Sequence, residues 1–214
     1  MKAILQTILD ILFPPLHDPH EVDLATVTDE AVLAHYKFQC IDSKQALYAL
    51  AQYSDDLIGS LIRQLKFKGK RISAHFLALL VVRALNNEEV FLEHKQWLIV
   101  PVPLGKARER SRGYNQSMCI AQMVAQTDSV VTLPSHPLLR RDRETKPQTS
   151  LDRADRVANV IGVFSVDQQV LANYPNVPIL LLDDVVTTGA TLREARKTLL
   201  EAGATKVVGV GVGH

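Results

Sequence analysis

Apolar and polar positions alternate along the chain with periods that predict several helices. Apolar side chains recur at helical spacing in Asp55 to Phe67 and in Asn115 to Ala125, whereas Ala74 to Leu85 is apolar almost throughout. We therefore predict three helices, the second of them buried against a sheet. A short amphipathic helix is also predicted from Met1 to Leu12; prolines end it and open an irregular segment that runs to about Cys40.

Short apolar runs predict the strands, which are Trp97 to Val102, Val130 to Leu133, Val160 to Val166, Ile179 to Leu182 and Lys206 to Val212. The last two strands flank a helix, which we predict to begin at Thr191 with a capping box to Glu194 and to end before Gly203. Strands that alternate with helices and read as continuous apolar runs are typical of a mostly parallel sheet covered on both faces. The predicted fold class is therefore α/β with a doubly wound sheet.

The composition is that of an ordinary globular protein. The 214 residues are 47% hydrophobic and 22% charged, with a formal net charge of +1, which excludes a disordered chain and indicates no partner. The sequence contains neither a clear secretory signal nor an apolar run long enough to span a membrane, so we predict a cytoplasmic protein. Basic residues concentrate at 63 to 71, 106 to 112 and 140 to 156, and each run alone is typical of a solvated surface.

The most informative motif follows the strand Ile179 to Leu182. Ligands of doubly wound sheets bind beyond the carboxyl ends of the strands. Two acids and a threonine- and glycine-rich turn lie there: Asp183, Asp184, Thr187, Thr188, Gly189, Ala190 and Thr191. Buried carboxylates need hydrogen-bond donors such as sugar hydroxyls, and hydroxyls beside the free N–H groups of a helix N-terminus are typical of a phosphate site. A capped turn with solvated acids would explain Gly189 and Thr191, but not the acid pair before two threonines.

Two other nucleotide-binding signatures are not supported by the sequence. The glycine- and lysine-containing loop of P-loop nucleotide hydrolases does not occur. The glycines between Gly209 and Gly213 lie in a strand that no helix follows, which excludes a dinucleotide-binding turn.

Ile179 to Thr191 resembles the 13-residue signature of type I phosphoribosyltransferases. More narrowly, residues 53 to 214 resemble the ComF family, the phosphoribosyltransferase-like proteins associated with natural competence and the use of external DNA. The other matching residues are, in order, Leu61, Ile62, Leu65 to Gly69, Pro101 to Pro103, Arg112 to Gln116, Arg143, Thr145, Gln148, Leu151, Arg156, Asn159 and Phe164. This ordered succession is more specific than any single motif.

The resemblance implies a site for 5-phosphoribosyl-1-pyrophosphate. Asp183 and Asp184 would hold the ribose hydroxyls, and residues 187 to 191 the 5′-phosphate. The pyrophosphate loop would contain Val102, Pro103, Lys106, Arg108 and Arg112, and Mg²⁺ would bridge the pyrophosphate itself. Residues 140 to 156 resemble a loop that closes over the reacting centre, which adds Arg143 and Lys146 to the two aspartates as candidate catalytic residues.

Two functions stay open at this stage. The first is a phosphoribosyltransferase that moves phosphoribose to an unidentified acceptor. The second is a non-catalytic phosphoribosyl- or nucleotide-binding module, or a single-stranded-DNA-binding module, that acts with DNA-uptake partners. The long loop at 140 to 156 favours the enzyme because pyrophosphate displacement gains from excluding water, and aromatic residues are sparse among the basic runs. The sequence does not indicate the acceptor or the oligomeric state.

The resemblance divides the chain into an N-terminal appendage, residues 1–52, and a phosphoribosyltransferase-like domain, residues 53–214. Many family members begin with a cysteine zinc knuckle, but here His17, His20, Cys40 and Ser43 occupy the expected places. Serine is a poor zinc ligand, so we predict no metal site; a zinc site at His17, His20 and Cys40, joined by His35, is the alternative.

We also predict that the hood over the acceptor comes from the residues before Gly69. A transferase needs a second element above the strand ends to hold the acceptor and limit the access of water. Nothing in the sequence after the last predicted strand can supply it, which leaves the region before Gln96.

Overall fold

The computed structural model describes residues 21–143 and 162–214, and its centre is a six-stranded sheet. The strands, including two outside this sheet, are β1 (Gln39–Asp42), β2 (Leu47–Ala51), β3 (Trp97–Pro101), β4 (Val131–Thr132), β5 (Leu139–Arg141), β6 (Phe164–Val166), β7 (Ile179–Val185) and β8 (Val207–Gly213). The central order is β1-β2-β8-β7-β3-β4, with β1 antiparallel to β2 and every other pair parallel. Strands β5 and β6 form a separate antiparallel ribbon. The predicted α/β fold with a mostly parallel sheet is confirmed.

The helices of the described residues are α1 (Asp29–Leu33), α2 (Asp56–Lys68), α3 (Arg71–Asn87), α4 (Glu89–Leu92), α5 (Lys106–Arg112), α6 (Gln116–Thr127), α7 (Gln168–Ala172) and α8 (Ala190–Glu201). The three helices expected from periodicity are α2, α3 and α6. Asp55 and Asn115 cap the first and the last of these, because each side chain accepts two backbone N–H bonds of the first turn. No helix in this part of the chain is both long and apolar enough to cross a membrane.

Both faces of the sheet are covered, as the continuous apolar strands predict. Leu180 and Leu182 of β7 point to the side that α2, α3 and α6 cover. Leu181 points to the opposite side, where α8 and the β5–β6 ribbon pack. The sheet therefore lies between two layers, one of helices and one of α8 with the β5–β6 ribbon, and both exclude water from its faces.

The structure corrects several boundaries. The segment expected to be irregular up to Cys40 contains α1, and β1 and β2 extend the central sheet, so residues assigned to the appendage contribute two of its strands. Leu139–Arg141 is a strand where a loop from Arg140 was expected, and α5 replaces an expected loop. The residues from Met1 to Leu12 and Val160 lie outside the described residues.

The predicted capping box is wrong. Helix α8 begins at Ala190, and its N-cap is Gly189 in the left-handed conformation, with φ of 74°. The Glu194 carboxylate accepts a hydrogen bond of 2.7 Å from the Gly162 N–H and therefore does not return to the cap. Gly189 has no side chain to cap the helix, and the N–H of Ala190, the first helical residue, donates to the Thr188 hydroxyl at 3.4 Å.

Candidate functional site

The site lies where β3 and β7 end side by side. The two strands are parallel neighbours, with Pro101 opposite Leu182, so the loop after β3 and the turn after β7 leave the same edge of the sheet. The cavity between them is lined by Lys66, Val102, Pro103, Leu104, Arg108, Arg112, Arg141 and residues 183–192. The fold thus brings together the candidate ribose and phosphate residues with Val102, Pro103, Arg108 and Arg112 of the candidate pyrophosphate loop.

The two carboxylates have different partners. Asp183 Oδ1 accepts a bond of 3.1 Å from the Ser117 hydroxyl and one of 2.9 Å from the Asp184 N–H. Asp184 is buried, its Oδ1 accepts 2.9 Å from the Val185 N–H, and its Oδ2 lies 3.0 Å from Lys66 Nζ. The Asp183 carboxylate thus accepts hydrogen bonds from neutral donors, whereas the Asp184 carboxylate pairs with the Lys66 ammonium.

These surroundings move the two pKa values apart. Burial, followed by the neighbouring charge of Asp184, raises the pKa of Asp183 to about 7. Burial opposes ionisation of Asp184 as well, but the Lys66 ammonium and the Arg112 guanidinium outweigh it and lower the pKa of Asp184. Near neutral pH the pair therefore carries one fixed negative charge and one that depends on pH.

The turn after β7 is held from outside the cavity. Val186 donates to the Gly213 carbonyl at 2.8 Å, and Arg193 donates to the Thr188 carbonyl. A trans peptide directs C=O and N–H to opposite sides, so the Gly189 N–H points away from Arg193. Within the described chain the N–H groups of residues 187 to 189 donate to no other protein group. They are available to an anion at the positive end of α8.

A glycine of β8 makes room for this turn. A Cβ atom on Gly211 would lie 2.1 Å from Cγ2 of Val186, the residue that begins the turn, and real Cβ atoms do not approach so closely. Val186 therefore packs directly on the bare backbone of β8. Of the three glycines in β8, it is Gly211 that provides the space for the turn after β7.

The cations of the candidate pyrophosphate loop separate into two groups. Arg108 and Arg112 line the cavity, and Arg112 is partly buried, donates 3.2 Å to the Gln116 side chain and lies 5.3 Å from the centre of the Phe67 ring. Burial lowers the pKa of Arg112. Lys106 is exposed and lines a second, neighbouring cavity that Pro103, Leu104 and Arg141 share with the first.

The remaining catalytic candidates are not brought to the cavity by the described residues. Arg143 is exposed at the edge of the described range and does not line the cavity. Lys146 lies outside the described residues, so its role stays a prediction, as does that of Arg143. Arg141 of β5 does line the cavity, although the sequence offered no reason to select it.

Sequence reasoning also missed Lys66 and Ser117 as site residues. Lys66 entered only as part of the family match, yet it continues the buried stripe of Ile58 and Ile62 at spacings of four. A lysine on the buried face of an amphipathic helix is a recognisable signal, because such a charge needs a partner. Ser117 carried no comparable signal, since its meeting with Asp183 depends on the packing of α6 against β7.

The last turn of α2 lies over this edge of the sheet. Lys66 reaches Asp184, Phe67 stacks under Arg112, and the Leu65 carbonyl accepts from the Tyr114 hydroxyl. Residues before Gly69 therefore do cover part of the site. The preceding strands β1 and β2 lie at the edge of the sheet beyond β8.

The zinc alternative is not tested here. His17 and His20 lie outside the described residues. Within residues 21–143 and 162–214 no three histidine, cysteine or acidic side chains are grouped as metal ligands. His35 Nδ1 instead lies 2.6 Å from Asp55 Oδ2, and Cys40 is exposed.

Comparison with known proteins places the chain in a family. No family model matches the chain. The chain is 32% identical to Competence protein F of Haemophilus influenzae over 69% of its own length and 63% of that protein, and 34% identical to Competence protein ComFC of Bacillus subtilis over 51% and 40%. It thus spans less than two thirds of each. It is 31% identical to the DNA utilization protein YhgH of Escherichia coli over 76% of its own length and 69% of that protein. At this identity and coverage, the chain belongs to the ComF family.

Proposed function

We propose that this chain binds 5-phosphoribosyl-1-pyrophosphate with Mg²⁺ and transfers phosphoribose to an acceptor. The observation that carries the proposal is the division of one cavity into complementary parts. Open N–H groups at residues 187 to 189 and the hydroxyls of Thr187, Thr188 and Thr191 suit a 5′-phosphate. Asp183 and Asp184 suit ribose hydroxyls, and Arg108 and Arg112 suit a diphosphate.

The same arrangement suits the chemistry of transfer. The bond from C1 of ribose to the diphosphate oxygen breaks, and the diphosphate leaves with the electron pair. A lone pair of the acceptor forms the new bond to C1, and the acceptor loses a proton. Positive charge develops on the ribose ring between these events, where the Asp184 carboxylate stabilises it, while Arg108 and Arg112 stabilise the leaving group.

The residues fit a Mg²⁺ ion that arrives with the diphosphate. Both aspartates have protein partners, and the described residues contain no group of three metal-ligating side chains. Mg²⁺ is bound by substrate phosphates more often than by all-protein cages. We therefore infer that the diphosphate oxygens hold the ion, and the protein holds the diphosphate through the loop from Val102 to Arg112. When bound, the ion neutralises charge on the leaving group.

We further propose that the protein acts in the use of external DNA, since its relatives include proteins named for competence and for DNA utilization. The alternative function is a non-catalytic phosphoribosyl- or nucleotide-binding module, or a single-stranded-DNA-binding module, that works with DNA-uptake partners. The exposed cations Lys106 and Arg110 on α5 support that alternative, because they face solvent and not the cavity.

The first experiment is calorimetric titration of the protein with phosphoribosyl pyrophosphate, with and without Mg²⁺. We expect saturable binding that Asp183→Asn with Asp184→Asn abolishes. Asp142→Asn is the matched control, because it removes an exposed carboxylate near the site without touching the cavity. No binding by the wild-type protein at millimolar ligand would contradict the proposal.

A second experiment separates the two functions. Release of pyrophosphate in the presence of a panel of nucleobases and other amine acceptors would establish the enzyme. Binding of phosphoribosyl pyrophosphate without release, together with salt-dependent binding of single-stranded DNA that Lys106→Ala and Arg110→Ala weaken, would establish the binding module.

A further inference from the structure

Lys66 is a buried lysine whose position is not explained by packing alone. Its side chain is 7% exposed, and its Nζ lies 3.0 Å from Oδ2 of Asp184 at the end of β7. Lysine is almost never buried without a partner, because removing an ammonium from water costs several kcal/mol. The pair therefore joins α2 and β7 through two charges that the fold has taken out of water.

Such a pair is poor evidence of a stabilising role. Buried ion pairs are often replaced by apolar residues without loss of stability, since desolvation offsets the attraction. An apolar residue at position 66 would continue the stripe of Ile58 and Ile62 and fill the same space. A lysine in this place has a clearer use as the partner of a carboxylate that faces a ligand cavity.

Only one of the two acids receives this partner. Asp183 is met by the neutral Ser117 hydroxyl and by a backbone N–H, whereas Asp184 is met by Lys66. The other charged groups that face the pair come from neighbouring elements: Arg108 and Arg112 of α5 and Arg141 of β5. Among these, Arg112 also acts on Asp184 through its charge.

We propose that Lys66 is a positioning residue that fixes the Asp184 carboxylate as an anion at the ribose end of the cavity and so assigns the two acids different tasks. The inference rests on the proposed phosphoribosyl site. Asp184 is then the permanent negative charge beside C1, and Asp183 is the group that exchanges a proton. Without Lys66, two adjacent carboxylates would share a low-dielectric site, and both would be harder to ionise.

The first measurement needs no ligand. The carboxyl carbons of Asp183 and Asp184 are followed by NMR as the pH is changed, in the wild-type protein and in Lys66→Met. We expect the titration midpoint of Asp184 to rise in Lys66→Met by about one pH unit or more, because its opposite charge is gone. Lys66→Arg keeps the charge and should return the midpoint toward that of the wild type.

Lys68→Met is the matched control. Lys68 lies on the same turn of α2, but its side chain is exposed and pairs with Glu21. The variant removes an equal charge close to the site without breaking the buried pair, so the midpoint of Asp184 should stay unchanged. Lys66→Gln provides a second uncharged variant in case Lys66→Met does not fold.

The second measurement is the affinity for phosphoribosyl pyrophosphate between pH 5 and pH 9. Affinity should fall on the acid side in every variant, and in Lys66→Met this fall should begin at a higher pH. A Lys66→Met protein with the wild-type midpoint of Asp184 would overturn the positioning role, whatever its affinity. A wild-type protein that binds no ligand, but whose Asp184 midpoint depends on Lys66, would instead refute the proposed function alone.

Discussion

Asp183 and Asp184 are consecutive in the chain but have partners from two different helices. The Asp183 carboxylate accepts from Ser117 of α6, and the Asp184 carboxylate pairs with Lys66 of α2; both helices cover the same face of the sheet. The two carboxylates therefore do not compete for one set of donors. Their inequality follows from the side chain that each helix presents at the end of β7.

The raised pKa of Asp183 makes stability depend on pH. Its pKa in the folded state is about 7, above the ordinary value of 3.8, so folding favours the protonated acid. This contribution is full below pH 4 and is lost as the pH rises through 7. Asp183→Asn keeps the acceptor atom but cannot ionise. When the pH rises from 5 to 8, we therefore expect the free energy of unfolding of the variant to increase by at least about 1 kcal/mol relative to that of the wild type.

Urea unfolding at both pH values measures this difference. Asp142→Asn, at an exposed position, should leave the pH dependence as it is in the wild type. Equal slopes of stability against pH for Asp183→Asn and the wild type would show that Asp183 ionises normally.

Arg193 should be required to hold the turn after β7, residues 186–189, called below the phosphate turn after the ligand that we propose for it. It donates to the Thr188 carbonyl and pairs with Asp42 of β1 at 3.3 Å. Arg193→Leu releases that carbonyl, and we expect phosphoribosyl pyrophosphate to bind about tenfold more weakly, the equivalent of one charged hydrogen bond.

Arg196 offers the control for this prediction. It lies on the same helix and also reaches the β1–β2 region, through Gln45, but its other bond goes to the Val207 carbonyl and not to the turn. Arg196→Leu should therefore lower stability without weakening ligand affinity. Equal losses of affinity in the two variants would mean that ligand binding depends on the stability of α8 as a whole and not on the hydrogen bond to the Thr188 carbonyl.

At the residue scale the sequence could identify the residues of the turn as a candidate site, but not the side chains that support the turn. The acids and the threonines of Asp183 to Thr191 are contiguous, so their order alone indicates a ligand. Lys66, Ser117 and Arg193 act on that segment from other elements, and only the packing of those elements brings them there. The prediction of a capping box was wrong for a related reason: the Glu194 carboxylate accepts a hydrogen bond from the N–H of Gly162, which is distant in the chain.

Among the elements, strand β8 alternates valine with glycine, and the two residue types have different structural roles. Its valines point into the apolar core, including Val208 and Val210, and its glycines leave the other side of the strand bare. Because a glycine has no side chain, a side chain of a neighbouring element can pack directly on the backbone at that position, and each glycine of β8 contacts a different residue. Gly211 receives Val186 from the phosphate turn, whereas Gly209 receives the tip of Leu47 from β2.

Gly211→Ala should consequently move the phosphate turn. The added methyl group overlaps Val186, and we expect a loss of stability of about 1–3 kcal/mol together with weaker ligand binding. Gly209→Ala is the comparison, since its methyl group meets the flexible end of Leu47, 2.5 Å from the new Cβ position, away from the turn.

Thermal unfolding and calorimetric titration of both variants check this expectation. Gly209→Ala should lose stability but keep its affinity. Unchanged affinity in Gly211→Ala would show that the turn tolerates displacement from β8.

Element prediction succeeded where apolar periodicity was long and failed where elements were short. Helices α2, α3 and α6 each present a sustained apolar face. Strand β2 has only five residues, too few for a clear apolar pattern, and it pairs with β1 on one side and with the parallel strand β8 on the other. Helix α5 has no buried residue, so no apolar pattern could indicate it.

On the scale of the whole molecule, the site joins segments that are distant in the chain: the last turn of α2, the loop from Val102 to Arg112, and the turn after β7. If all three contact one ligand, phosphoribosyl pyrophosphate should slow amide hydrogen exchange in each of them. Helix α7 contributes no residue to the cavity and should exchange as before.

Mass spectrometry of exchanged peptides makes this measurement. Protection confined to residues 183 to 192 would indicate that α2 does not take part in ligand binding. Protection that also spreads through α7 would indicate a general stabilisation of the fold.

The pairing of β2 with β8 has a consequence for how the protein folds. Leu47 finds its partner at Gly209, near the other end of the described chain, and contacts between such distant residues form late because a long loop must close first. A nascent chain that has completed β7 already contains both aspartates and Lys66, but it lacks the strand that seats Val186 and the neighbour that keeps β1 beside Arg193. The proposed phosphate site is therefore complete only when β8 has entered the sheet between β7 and β2.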